Sequence, residues 1–200
     1  VIQQLAPEAP AKTKDAGKSS TAASADPTQA AKDAAAEKEA DEFQSAAQSL
    51  RQAMQDLPEL AELSKQVLVD QTPEGLRIQL IDQEGRSMFE PGSANPNDRA
   101  RLLLRAVAKV IHNRVTVAGH TSATAAGYKT GDDWALSAAR ANASRSVLEG
   151  AGVQADRIYQ VSGKANSDPL YPDDPTLPGN RRIAIVLLRE APVLPVGATP

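Results

Sequence analysis

The run from Arg181 to Leu188 is apolar on both of its alternations once the opening arginine pair is passed. A strand with one wet face alternates polar and apolar residues, so a run without alternation belongs in the middle of a sheet, with neighbours on both edges. The rest of the chain must therefore supply flanking strands and a layer to cover them. Leu76, Ile78 and Leu80 alternate with Arg77 and Gln79 after the Pro73-Glu74-Gly75 turn and read as the first strand. Beyond a loop punctuated by Gly85, Pro91, Gly92 and Pro96, Leu103, Val107, Val110 and Ile111 mark one face of a helix. Val115 to Gly119 is a short apolar strand ending in Gly-His-Thr. After a loop with Gly127 and Gly131, Asp132 or Asp133 caps a second helix that runs to about Glu149, where Gly150 and Gly152 supply its stop. Arg157 to Ser162 is the third strand. The order strand, helix, strand, helix, strand, strand (βαβαββ) predicts an α/β two-layer sandwich with the helices on one face of the sheet.

Only 3% of the residues are aromatic, and much of the 41% hydrophobic content is alanine, so one domain plus an extended region is expected. Residues 1–28 read as a disordered linker, because from Ala6 onward there are almost no large apolar groups to offset ordering entropy. Residues 29–72 read as a helical linker region. In it Phe43, Ala46, Leu50, Ala53 and Leu57 form a narrow stripe that suits either the chain's own domain or a partner helix in a dimer. Pro58 suits a new helix start, carried by Leu60, Leu63, Val67 and Leu68 towards Asp70. Residues 73–190 make the sandwich domain, and the proline-rich 191–200 read as a disordered tail. Pro169, Pro172, Pro175 and Pro178 recur at every third residue, which favours extended polyproline-like backbone.

A net charge of −3 offers no basic field for nucleic acid. The absence of cysteine excludes disulfides and thiolate metal sites. No apolar run approaches the roughly 20 residues that span a bilayer. The opening residues carry neither a signal pattern nor a methionine, so the chain reads as a processed product or an excised soluble fragment, which leaves room for an upstream anchor. The stripe of Arg101, Arg105 and Lys109 reads as a solvated helix face.

Arg140 does not match its surroundings. At 100° per residue it falls in the sector of Leu136, Ala143 and Val147, while Arg145 and Glu149 form an i+4 pair on the far side. A guanidinium stays charged at any accessible pH, so it must be met either by internal acceptors or by the carboxylate of a ligand. The helix start near Asp133 and the loop at Thr121 should close over the same end, and Arg181 could bring a second cation. Ser137, His120 and Asp132 lack the Gly-x-Ser-x-Gly elbow of a hydrolase, and Gly163-Lys164 lacks the glycine spacing of a phosphate loop. His120 has no second histidine or cysteine at metal-ligand spacing and reads as a loop hydrogen-bonder. Neither catalysis, a cofactor nor a metal is expected.

Gly119-His120-Thr121, Leu136-Ser137-Ala138-Ala139-Arg140-Ala141-Asn142, Arg157-Ile158 and Asn180-Arg181-Arg182-Ile183 together resemble the OmpA-like peptidoglycan-binding domain. Upstream, Glu74 to Asp82 and Met88-Phe89 through Gly92-Ser93-Ala94 are similar to its flagellar stator branch, so the resemblance spans roughly Leu57 to Leu188. The resemblance implies the OmpA C-terminal type of fold, with a mixed sheet, and non-catalytic binding of the diaminopimelate residue of peptidoglycan. Arg140 would hold a ligand carboxylate, with Asp133, Thr121 and Arg181 nearby. Family members usually carry, after Gly-His-Thr, an aspartate that pairs with the ligand ammonium. Here that position is Ser122, which keeps an oxygen but loses the ion pair unless Asp132 or Asp133 compensates. The stator branch further implies a periplasmic homodimer, anchored in the inner membrane by an upstream helix through which it meets a membrane partner.

Overall fold

The computed structural model describes residues 27–124 and 132–190. Of the stretches expected to be disordered, residues 1–26 and 191–200 lie outside the described residues, as does the part of the loop holding Gly127 and Gly131, whereas Pro27 and Thr28 belong to the first helix. Helix α1 (Pro27–Asp56) and a single turn α2 (Pro58–Ala61) precede strands β1 (Val67–Thr72) and β2 (Gly75–Ile81). There follow α3 (Asp98–Ala108), β3 (Val115–His120), α4 (Asp133–Gly150), β4 (Ile158–Gly163) and β5 (Arg182–Leu188). The sheet order is β1-β2-β5-β3-β4. β5 is thus central, antiparallel to both β2 and β3, while β3 and β4 run parallel. The predicted βαβαββ series is β2-α3-β3-α4-β4-β5. No helix among the described residues is long and apolar enough to cross a membrane.

The helix expected from Pro58 towards Asp70 is corrected. It stops after one turn, and residues 67–72 form β1, which pairs with β2 from Val67↔Leu80 to Thr72↔Gly75. Spacings of three and four residues joining Leu60, Leu63 and Val67 imitate a helix, but Val67-Leu68-Val69 gains a full ladder once Pro73-Glu74 closes a two-residue hairpin. Gly75 makes that hairpin possible: its φ is +149°, and a β-carbon there would lie 1.9 Å from the Leu187 carbonyl oxygen. The proline segment is also corrected. Residues 169–180 turn repeatedly rather than run extended, because the buried Asn180 side chain accepts from Tyr171 N at 2.8 Å and donates to the Asp174 carbonyl at 3.0 Å.

Leu76, Ile78 and Leu80 of β2 and Ile183, Ile185 and Leu187 of β5 face the helical layer and join Leu103, Leu104 and Val107 of α3 in one core. Of the two uses left open for the α1 stripe, packing on its own domain is the one adopted. Phe43, Ala47, Leu50 and Met54 enter the same core, displacing the expected Ala53 and Leu57, and Leu57 is exposed. Glu39 ties the helix down further, accepting from Arg189 Nη1 at 3.2 Å and from the backbone N–H of Glu190. Arg101, Arg105 and Lys109 are solvent-exposed, as their spacing predicts.

The buried face of α4 is Ser137, Arg140, Ala141, Ser144 and Leu148, about a quarter-turn from the predicted sector. Small side chains line it because the helix rests on bare backbone: β-carbons at Gly119 and Gly163 would come within 2.1 Å of the Ser137 oxygen and 2.4 Å of the Ala138 nitrogen. This close seating fixes where Arg140 stands.

Candidate ligand-binding cleft

Arg140 is 6% exposed, and its guanidinium is met from inside. Nε donates to the Ser93 carbonyl at 2.9 Å, Nη2 donates to the Glu90 carbonyl at 3.2 Å, and the group lies 4.9 Å from the Phe89 ring centroid. The negative charges of Asp82 and Asp133 also act on it. Burial lowers its pKa, a trend opposed by the charge of Asp82, but a guanidinium remains cationic throughout the working range. These two backbone carbonyls accept from the guanidinium without neutralising its charge.

Arg140 lines a cleft of about 960 Å³ bounded by the 87–94 loop, the end of β3 and the first turns of α4. All five predicted site residues, Arg140, Arg181, Asp133, Thr121 and Ser122, line it, together with Asp132, Phe89 and Leu136. Asp132 is the N-cap of α4, its side chain accepting from Ala135 N at 3.0 Å, which leaves both acids at the rim beside the helix start. Thr121 is held by its backbone N–H donating to the Ala165 carbonyl at 2.8 Å.

Arg181 arrives from the turn that Asn180 organises, just before β5. Its Nε donates to Asp82 Oδ2 at 3.0 Å and its Nη1 to Ser122 Oγ at 3.4 Å, while the side chain stays 31% exposed towards the cleft. Sequence reasoning assigned no role to Asp82. Apart from closing the Glu74 to Asp82 stretch of the resemblance, its sequence signal is an acid directly after the apolar run Leu80-Ile81. The carboxylate is 4% exposed; burial raises its pKa, against the opposing effects of the Met88 N–H and Arg181.

The residues weighed for catalysis do not meet. Ser137 Oγ donates to the Trp134 carbonyl and accepts from Ala165 N, both at 3.0 Å, within the packing between α4 and the sheet. His120 neighbours Gly119, which faces α4, and therefore points to the other side of the sheet. The loop role expected for it is corrected: it ends β3, is buried, and its Nδ1 has no hydrogen-bond partner among the described residues. Beside it Arg182 is engaged internally by Gln79 at 2.8 Å and the Asp168 carbonyl at 2.9 Å. Among the described residues no group of three or more His, Cys, Asp and Glu could hold a metal.

Residues 88–182, which hold Arg140, Arg181 and most of the cleft wall, match the OmpA family. They form an OmpA-family domain. Across 146 residues the chain is 38% identical to Motility protein B of Escherichia coli K12, covering 70% of this chain and 47% of that protein. It thus spans about half the length of that relative. A putative MotB-like protein from Desulfovibrio vulgaris superposes with a TM-score of 0.56 at 19% identity, over 76% of this chain and 96% of that one. The cell wall anchor of the T6SS from Pseudomonas aeruginosa gives 0.52 at 22% identity, over 66% and 95%. At such identities the two structures establish the shared OmpA-like fold.

Proposed function

We propose that the cleft binds peptidoglycan without chemical turnover, gripping the diaminopimelate residue of its stem peptide, and that the domain anchors a flagellar motor stator to the cell wall. The observation that carries this reading is the convergence of two guanidinium groups, Arg140 and Arg181, with the rim acids Asp132 and Asp133 across one cavity. A ligand centre bearing both a carboxylate and an ammonium matches that arrangement. Arginine's planar fork gives the carboxylate end its orientation. The identity with Motility protein B supports the motility context. On this reading the domain works in the periplasm as a homodimer, with an inner-membrane helix upstream that meets a membrane partner.

The second reading is an OmpA-like domain with little wall affinity, favoured by Ser122 standing where the family's aspartate is expected and by the carbonyls already occupying Arg140. Co-sedimentation with purified diaminopimelate-type peptidoglycan separates the two. Wild type should pellet and a folded Arg140→Ala variant should stay in the supernatant. Equal pelleting removes Arg140 from the site, no pelleting of wild type supports the second reading, and release of soluble muropeptides revives a hydrolase.

A further inference from the structure

Asp82 touches the machinery of both arginines. Its Oδ2 accepts from Arg181 Nε at 3.0 Å, and its backbone N–H donates to the Arg181 carbonyl, also at 3.0 Å. Its Oδ1 accepts from Met88 N at 2.8 Å. Met88 begins the segment that supplies the Phe89 ring and the Glu90 and Ser93 carbonyls to Arg140. The far end of that segment is closed by Asn97, whose backbone N–H donates to the Met88 carbonyl at 3.0 Å and whose Nδ2 donates to the Ser87 carbonyl at 2.7 Å.

We propose that Asp82 is the positioning residue for both cleft cations: one carboxylate oxygen orients Arg181 and the other pins the loop that cradles Arg140. The inference rests on the cleft being the ligand site and adds a reason for its geometry. Two like charges facing one cavity repel, and a shared buried anion behind them lets both stay extended towards a ligand. A carboxylate with both oxygens committed inward cannot itself compete for the ligand. The carboxylate therefore acts through the arginines.

The test uses the full chain labelled with ¹⁵N, following the side-chain Nε–Hε signals of Arg140 and Arg181, and a free diaminopimelate-containing tripeptide as ligand. Asp82→Asn keeps an oxygen for Met88 N but presents its NH₂ to Arg181. Hydrogen exchange at Arg181 Nε should accelerate at least tenfold while Arg140 is unmoved. Asp82→Ala should accelerate both. Tripeptide affinity should fall about tenfold in Asp82→Asn and no further when Arg181→Ala is added, because both changes disable the same contact. An Arg140 signal unmoved by Asp82→Ala, or additive losses for Asp82→Asn with Arg181→Ala, overturns the proposal. Should Asp82→Ala not fold, Asp82→Asn decides alone, since an unmoved Arg181 signal defeats it. If wild type fails to bind the tripeptide, the functional reading falls while the exchange measurements still decide the role of Asp82.

Discussion

Gly119 sits against Ser137 so closely that a β-carbon on the glycine would lie 2.1 Å from the serine carbonyl oxygen. Neither atom belongs to a flexible side chain, so any substitution must move the helix or the strand. Gly119→Ala is expected to destabilise the domain by about 1–3 kcal/mol or more, as overpacking in a close-packed interior does. Denaturant titration measures the loss, and an unchanged midpoint would mean that α4 is not seated on β3 backbone.

Ser122 accepts a long hydrogen bond from Arg181 where an aspartate would bring a charge. With Asp132 and Asp133 across the same cavity, an added carboxylate should strengthen the hold on a ligand ammonium. Ser122→Asp is expected to tighten retention on peptidoglycan several-fold, and acetylating the diaminopimelate side-chain amine should abolish the gain. Weaker retention would instead show the new carboxylate pairing with Arg181.

Burial, reinforced by the nearby charge of Arg182, holds the His120 imidazole down at about 4 from an ordinary 6.5. The folded protein prefers the neutral ring, whereas the unfolded chain takes up a proton from pH 6.5 downward. The stability contributed by His120 is therefore complete above pH 6.5 and lost as the pH falls to about 4, a change of about 3 kcal/mol. His120→Gln cannot titrate and should lose stability less steeply across that window. Parallel pH profiles for wild type and variant would refute the assignment.

Phe43 of α1 is 1% exposed and packs in the core of the sandwich. Phe43→Ala should cost about 3–5 kcal/mol. A chain beginning near Leu57 should lose stability for the same reason. If light scattering gives the same subunit number for that truncation and the full chain, α1 serves only its own domain.

Local patterns carried much of this architecture. Alternation marked β2 as a strand and its absence placed β5 centrally, and the capping aspartate and terminal glycines bounded α4. β1 escaped because its identity rests on pairing with β2, while the three- and four-residue spacings just before it imitate a helix. Arg140 could be recognised as a charge in need of partners. The partners themselves could not be named, because they are backbone carbonyls, and every residue offers one. Asp82 was less legible still: a lone acid has no periodicity, and the arginine that gives it meaning lies 99 residues away.

The clasp of Glu39 on Arg189 and Glu190 places the attachment of α1 at one end of β5, while Arg181 opens into the cleft at the other, about 26 Å away along an extended strand. A pull between that clasp and Arg181 would run lengthwise along β5. That strand is bonded along both edges, to β2 and to β3, so a pull along it must shear two ladders at once rather than unzip them rung by rung. The central strand is in this sense a tie-rod between the two ends of the domain.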